Sequence, residues 1–137
     1  MADMTCELVS PERVVWTGQA TYVFARSLEG DLGVLPRHAP LLAALDYGVV
    51  RIRPVDGEEI IAAVDGGFLS VSPDEKAGTK VSILAETAVM ARDIDVAAAR
   101  AEVSANEGAT SEDPDKLAAL KSAQARVRAS EALTAAH

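Results

Sequence analysis

Two carboxylates and a histidine lie close together in the sequence and are the residues best suited to acid–base chemistry. Glu29, Asp31 and His38 fall within one short stretch. A general base also needs an orienting partner and a nucleophile or substrate pocket. The sequence contains no G-x-S-x-G elbow and no H-E-x-x-H pair, and the single cysteine, Cys6, lies in an alternating run that favours a buried thiol over a reactive one. We therefore predict no catalytic residue and no metal site; a hydrolase or lyase built on His38 and Asp31 is the enzymatic alternative.

A second group of chemically active residues is basic and lies near the end of the sequence. From residue 114 onward, four basic side chains stand against two acidic ones, in a chain whose formal net charge is −8. Cations on an exposed helix suit a salt-sensitive contact with an acidic partner, and the alternative is a solvated helix face. Residues seven apart, as Lys121 and Arg128 are, share a helix face. The four basic residues are Lys116, Lys121, Arg126 and Arg128.

The charge and the apolar segments exclude several classes of function. A net charge of −8 argues against a groove for nucleic acid and against adsorption to anionic lipid. The longest strongly apolar stretch, residues 39–45, contains Pro40, whereas a membrane-spanning helix needs about 20 apolar residues. If the protein works at a membrane, a partner holds it there. One cysteine cannot form an internal disulfide, which fits a reducing cytoplasm.

The elements that must position these residues divide near Thr87. Before it, short alternating runs such as Thr5–Val9 and Lys80–Leu84 predict strands, and Asp56-Gly57 between two such runs predicts a hairpin turn. Several short strands at this spacing predict an antiparallel sandwich or barrel. After Thr87 alanine dominates, which favours helices.

Two helices are predicted in the second part. Asp93 is a candidate cap for a helix that ends near Asn106, and Asp113-Pro114 supplies a capping carboxylate and a proline for a second helix to about Ala135. The apolar stripe of the second helix is narrow and rich in alanine, so the helix should form readily and dock weakly. The stripe consists of Leu117, Leu120, Ala123, Val127, Ser130 and Leu133.

The segment from Glu29 to Leu42 carries a resemblance to a known family. It reads EGDLGVLPRHAPLL and resembles the signature of ATP synthase epsilon subunits, in which a G-x-L/F-G-I/V-L-P-x-H-A-P-L run leads into a leucine-rich stretch. Gly48–Ile52, Asp65–Phe68 and the helix start Asp93–Asp95 are similar to further parts of that family. The resemblance extends over the whole chain.

The resemblance implies a fold and a function. The fold is mainly β plus α: an N-terminal antiparallel β-sandwich of about ten strands in residues 1–87 and a C-terminal two-helix hairpin in residues 88–137. The function is that of a non-catalytic central-stalk (rotor) subunit without a cofactor. It couples the gamma subunit to the membrane c-ring for proton-driven ATP synthesis, at the cytoplasmic face of the plasma membrane, and its helices inhibit ATP hydrolysis.

The same resemblance implies contact residues for these partners. The c-ring and gamma contact is expected in the signature loop, at Glu29, Asp31 and His38. The inhibitory contact with the alpha and beta subunits is expected on the second helix, at Lys121, Arg126 and Arg128. These assignments follow from the family and not from the spacing of the residues.

Nucleotide binding is a separate question, because some members of the family bind ATP on the hairpin through an I/L-D-x-x-R-A motif. Ile94 and Asp95 match its start, but Ala98 stands where the arginine belongs. Arg100 comes two residues later, on a different helical face. We therefore predict weak or no ATP binding. An ATP-sensing member of the family and an unrelated β-sandwich adaptor with a helical tail are the remaining alternatives.

Overall fold

The computed structural model describes residues 4–75 and 78–136, which form seven strands, a short 3-10 helix and two α-helices. The strands are β1 (Met4–Ser10), β2 (Arg13–Ser27), β3 (Gly30–Val34), β4 (Leu41–Pro54), β5 (Ile60–Asp74), β6 (Gly78–Ala85) and β7 (Ala88–Met90). The 3-10 helix is Ala91–Asp93, and the helices are α1 (Val96–Ala105) and α2 (Pro114–Ala136).

Five of the strands close into a barrel. The sheet order is β1-β6-β5-β4-β2-β3, and β1 also pairs with β2, which joins the two ends of the ring. The pairing of β1 with β6 is parallel, so the prediction of a purely antiparallel sheet was wrong. The reason is geometric: strand direction cannot alternate all the way round a ring with an odd number of strands, so one pair must be parallel.

The described residues contain seven strands, and the predicted count of about ten was too high. Three strands, β2, β4 and β5, are 14 or 15 residues long. The first part of β5 pairs with β7, whereas its second part pairs with β6. A count by short segments divides each long strand in two, which accounts for the difference.

The change of partner along β5 takes place at Gly66-Gly67. Gly67 has a φ of +128°, and a Cβ at this position would collide with the carbonyl oxygen of Leu84 and lie 2.8 Å from the Cα of Ala85. Glycine is therefore required where β5 bends against β6.

The barrel interior is filled by aliphatic side chains from alternate strand positions. Met4, Cys6 and Leu8 of β1 are fully buried, which confirms the predicted alternation. Burial raises the pKa of the Cys6 thiol to about 12, and the negative charge of Glu7 adds to this effect. Cys6 is therefore a core thiol and not a nucleophile.

The helix boundaries follow local capping. Asp113 accepts a hydrogen bond from the Lys116 amide at 3.2 Å, and α2 begins at Pro114 as predicted. The cap of α1 is Asp95, which accepts from the Ala98 amide at 3.0 Å; Asp93, the predicted cap, lies in the 3-10 helix instead. The predicted domain boundary at residue 87 stays a prediction, and β7 extends the sheet three residues beyond it.

The helical hairpin is folded against the sheet. Helix α2 packs on the outer face of β4 and β5 and contacts α1 on its other side. The contact is made of small side chains, with Ala125 and Ala129 completely buried against Ile61, Ala63 and Ala91. No helix in the described residues is long and apolar enough to cross a membrane.

Candidate functional site

The predicted contact residues Glu29 and Asp31 lie at the turn between β2 and β3. The Ser27 hydroxyl fixes this turn: its Oγ donates to the Gly30 carbonyl at 2.7 Å and accepts from the Glu29 amide at 3.2 Å. Asp31 pairs in register with Arg26 on the neighbouring strand. Both carboxylates are exposed, so a partner can reach them.

His38 lies in the loop between β3 and β4 and is half-buried. Its Nδ1 donates to the Ala39 carbonyl at 2.7 Å, and its amide donates to the Leu35 carbonyl at 3.1 Å. Within residues 4–75 and 78–136, no hydrogen bond joins His38 to Asp31. The geometry therefore does not assemble the His38–Asp31 base that an enzyme would need.

The turn at Glu29 is bordered by exposed leucines. Leu28 and Leu42 are 67% and 71% exposed, and the Leu28 amide donates to the Ala44 carbonyl at 3.0 Å, which brings the two strands' ends together. Residues 27–29 and 41–44 line a groove of about 220 Å³. Large exposed leucines beside a carboxylate are typical of a contact surface.

A row of exposed apolar side chains crosses four neighbouring strands and adjoins this groove, because Phe68 pairs with Ala44, which lines the groove. Phe68 of β5 pairs with Leu84 of β6, Leu84 pairs with Val9 of β1, and Val9 pairs with Val14 of β2. Phe68, Leu84 and Val14 are 53%, 54% and 58% exposed. We call Val9, Val14, Phe68 and Leu84 the apolar row. The sequence analysis did not predict the apolar row. The sequence pattern that could have revealed it is an apolar residue at a strand position that alternation assigns to the outer face, next to apolar residues that fill the core.

A chain of polar contacts ties the hairpin together and to the sheet. Ser122 of α2 donates to Asp65 of β5 at 2.8 Å, and Arg126 donates to the Ser122 hydroxyl at 2.6 Å. The other end of the Arg126 guanidinium donates to Glu102 of α1 at 2.5 Å. We call Asp65, Ser122, Arg126 and Glu102 the latch. The sequence pointed to Arg126 but not to its three partners, which come from other parts of the chain.

The other two predicted tail residues face a different side of α2. The ammonium group of Lys121 lies 5.9 Å from the centre of the Tyr47 ring. Lys121 and Arg128 line one pocket together with Arg26 of β2 and Asp46 of β4. In the folded hairpin, all three predicted tail cations thus point at groups of the same chain.

The predicted nucleotide-binding residues are separated. Asp95 is used as the α1 cap, and Ile94 packs beneath the hairpin against the alanine cluster. Arg100 is exposed and lines a groove between the helices with Ser130, whose buried hydroxyl has no hydrogen-bond partner in the described part of the chain. Ala98, in the place of the motif's arginine, is exposed. Weak or absent ATP binding stays a prediction.

Residues 3–91 match the family model described as the β-sandwich domain of the ATP synthase delta/epsilon chain. The chain belongs to the ATP synthase delta/epsilon family. The alternative of an unrelated β-sandwich adaptor was therefore wrong, and the resemblance of the Glu29–Leu42 segment is confirmed.

Curated relatives extend the match of this delta/epsilon family chain to its helical part. The ATP synthase epsilon chain of Rhodococcus opacus is 49% identical over 132 residues, which cover 96% of this chain and 98% of the relative. The epsilon chain of Rhodococcus erythropolis is 53% identical over 109 residues, which cover 79% of this chain and 85% of that one.

A solved structure shares the fold. A chain in the mitochondrial ATP synthase of Euglena gracilis superposes with a TM-score of 0.74 at 22% identity, covering 95% of this chain and 82% of that one. At this identity the likeness shows that the delta/epsilon chain has a known fold, and it assigns no contact residue. The described residues contain no cluster of His, Cys, Asp or Glu that suits a metal ion.

Proposed function

We propose that this chain is a non-catalytic rotor subunit of an F-type ATP synthase, peripheral to the cytoplasmic face of the plasma membrane and held there by its partners. Its sheet couples the gamma subunit to the membrane c-ring. Its helical hairpin restrains ATP hydrolysis when it leaves the sheet and reaches the alpha and beta subunits.

The coupling role is supported by the exposed apolar row and by the groove that adjoins it on the barrel. The apolar row exposes large apolar side chains, which suits a permanent contact with a long stalk partner such as gamma. The Leu28–Leu42 groove is lined by Glu29 as well, and leucines with a carboxylate suit the polar loops of the c-ring. A barrel that binds two partners at adjoining parts of its surface can transmit torque between them.

The regulatory role rests on the composition of the hairpin interface. An alanine methyl contributes about 0.8 kcal/mol on burial, whereas a buried valine, leucine or isoleucine contributes about 1.5–3 kcal/mol. Helix α2 buries Ala123, Ala125 and Ala129, while the barrel core buries large aliphatic residues such as Ile52 and Leu69. The hairpin is thus held more weakly than the barrel, and a partner can shift it without unfolding the sheet.

The released hairpin would expose basic side chains that contact groups of the same chain while the hairpin is folded. Arg126 is bound in the latch, and Lys121 lies over Tyr47. When α2 leaves the sheet, Arg126 and Lys121 lose these internal partners, and together with Arg128 they become available to acidic residues of the catalytic subunits. The folded and inhibitory positions therefore exclude each other.

The test is the ATP hydrolysis rate of the assembled complex, with the full chain or with a chain truncated after Asp93. This cut keeps β7 and its pairing with β5. We expect the truncated chain to stay assembled and the hydrolysis rate to rise several-fold. An unchanged rate in a complete complex would contradict the regulatory role and leave only coupling. If the truncated chain were lost from the complex, the proposal that the sheet alone binds the partners would be contradicted.

A further inference from the structure

A small polar pocket lies where α2 meets the sheet and is distinct from the latch. It has a volume of about 140 Å³. Three cations, Arg26, Lys121 and Arg128, face it against one carboxylate, Asp46. This local excess of positive charge is unusual in a chain with a formal net charge of −8. Tyr47 and Gln124 complete the lining.

The backbone of β4 positions Arg26. A Cβ at Gly48 would lie 3.1 Å from the Cβ and 3.3 Å from the Cδ of Arg26, so the arginine stem lies against a strand position that has no side chain. Its Nε is 4.0 Å from the Asp46 Oδ2, which is too long for a hydrogen bond. Asp46 Oδ1 accepts from the Tyr47 amide at 2.8 Å instead. Asp46 therefore neutralises Arg26 only in part.

The two cations of α2 are also incompletely paired. Lys121 lies over the Tyr47 ring, which leaves its ammonium hydrogens available to an acceptor. Arg128 has neither an ion pair nor a hydrogen bond to any residue that the structure describes. Bringing three cations together is unfavourable, and an anion between them would relieve the repulsion.

We propose that this pocket binds one phosphate group. Guanidinium groups match phosphate oxygens in geometry, and an ammonium group supplies a further charge-assisted hydrogen bond. The volume suits a single phosphate group and not a whole nucleotide. The ligand is either free inorganic phosphate or the terminal phosphate of a larger molecule such as a nucleotide, whose remainder would stay in solvent.

Bound phosphate would bridge the sheet and the hairpin, because Arg26 belongs to β2 whereas Lys121 and Arg128 belong to α2. It would therefore favour the folded hairpin by mass action. The binding itself goes beyond the proposed regulatory function, since it is a property of the isolated full-length chain. A failure of phosphate binding and a failure of regulation are observed in different experiments.

The test is a titration of the isolated full chain with inorganic phosphate at constant ionic strength, followed by NMR at the Tyr47 and Lys121 amides. We expect saturable shifts. Arg26→Gln and Arg128→Gln should each raise the Kd about tenfold, as expected for the loss of one charge-assisted hydrogen bond. Arg13→Gln is the matched control, because Arg13 is an exposed arginine at the opposite end of β2, and its Kd should not change.

A second titration with ATP identifies the source of the phosphate. If ATP competes with phosphate and Arg128→Gln weakens both, the pocket takes the terminal phosphate of a nucleotide. If Arg128→Gln weakens only inorganic phosphate, the ligand is the free anion. Shifts that do not saturate, or equal Kd values for Arg128→Gln, Arg26→Gln and Arg13→Gln, would overturn the proposal.

Discussion

Arg126 of α2 and Glu102 of α1 form an ion pair in which Nη2 lies 2.5 Å from Oε2, and the same guanidinium contacts the Ser122 hydroxyl. Because Ser122 in turn donates to Asp65 of β5, one arginine connects both helices and the sheet. The arginine side chain is 23% exposed and the glutamate side chain 53% exposed. The connection is therefore partly screened by solvent, which suits a contact that must open.

Arg126→Gln should loosen α1 while leaving the barrel intact. The substitution removes the charge that holds Glu102 and leaves Ser122 and Asp65 without their cation. We expect hydrogen exchange of the α1 amides to become several-fold faster, with no change for the buried amides of the barrel. Arg100→Gln is the control, because Arg100 is an exposed arginine of α1 outside the latch. Equal acceleration in both variants would show that the latch does not hold the hairpin.

Gly67→Ala should destabilise the barrel far more than Gly30→Ala. Both glycines have a φ of +128°, a region that L side chains rarely adopt, so both substitutions carry backbone strain. A Cβ at Gly67 also meets the backbone of β6, whereas one at Gly30 meets nothing within 4 Å. We expect a loss of about 3 kcal/mol or more in the free energy of unfolding for Gly67→Ala and about 1–2 kcal/mol for Gly30→Ala. Urea unfolding measures both, and similar losses would contradict the role of Gly67 at the bend.

The two parts of the fold differed in how far the sequence could predict them. The barrel core was predictable because alternation places Met4, Cys6 and Leu8 inside, and Asp113-Pro114 fixed the start of α2 by local capping. The parallel pairing of β1 with β6 could not be predicted, because it depends on closure of the ring of five strands. The latch could not be predicted either, since Asp65, Glu102 and Ser122 are far apart in sequence and no local pattern links them.

Cys6 should make the stability of the chain depend on alkaline pH. The folded thiol has a pKa of about 12 against an ordinary value of 9.0, so the unfolded chain loses this proton first. The contribution is complete below pH 9 and is lost as the pH rises towards 12. We expect the free energy of unfolding to fall by about 1.4 kcal/mol per pH unit in this window from Cys6 alone. Comparison with Cys6→Ala by urea unfolding at pH 8 and pH 10 isolates the effect from other groups, and identical pH profiles would contradict it.

Phe68→Ser and Leu42→Ser should show that the apolar row and the adjoining groove bind different partners. Both side chains are large, apolar and more than half exposed, so neither substitution should unfold the chain. Phe68 lies in the apolar row and Leu42 borders the groove beside Glu29. We expect Phe68→Ser to weaken binding to the gamma subunit about tenfold or more with the c-ring contact unchanged, because exposed aromatics at an interface carry much of its binding energy. Leu42→Ser should weaken binding to the c-ring and leave binding to the gamma subunit unchanged.

Binding assays of each full-length variant to the purified gamma subunit and to the c-ring measure the two effects separately. If both variants weakened the same partner, the barrel would have one docking surface and not two, and coupling across it would have to be rejected.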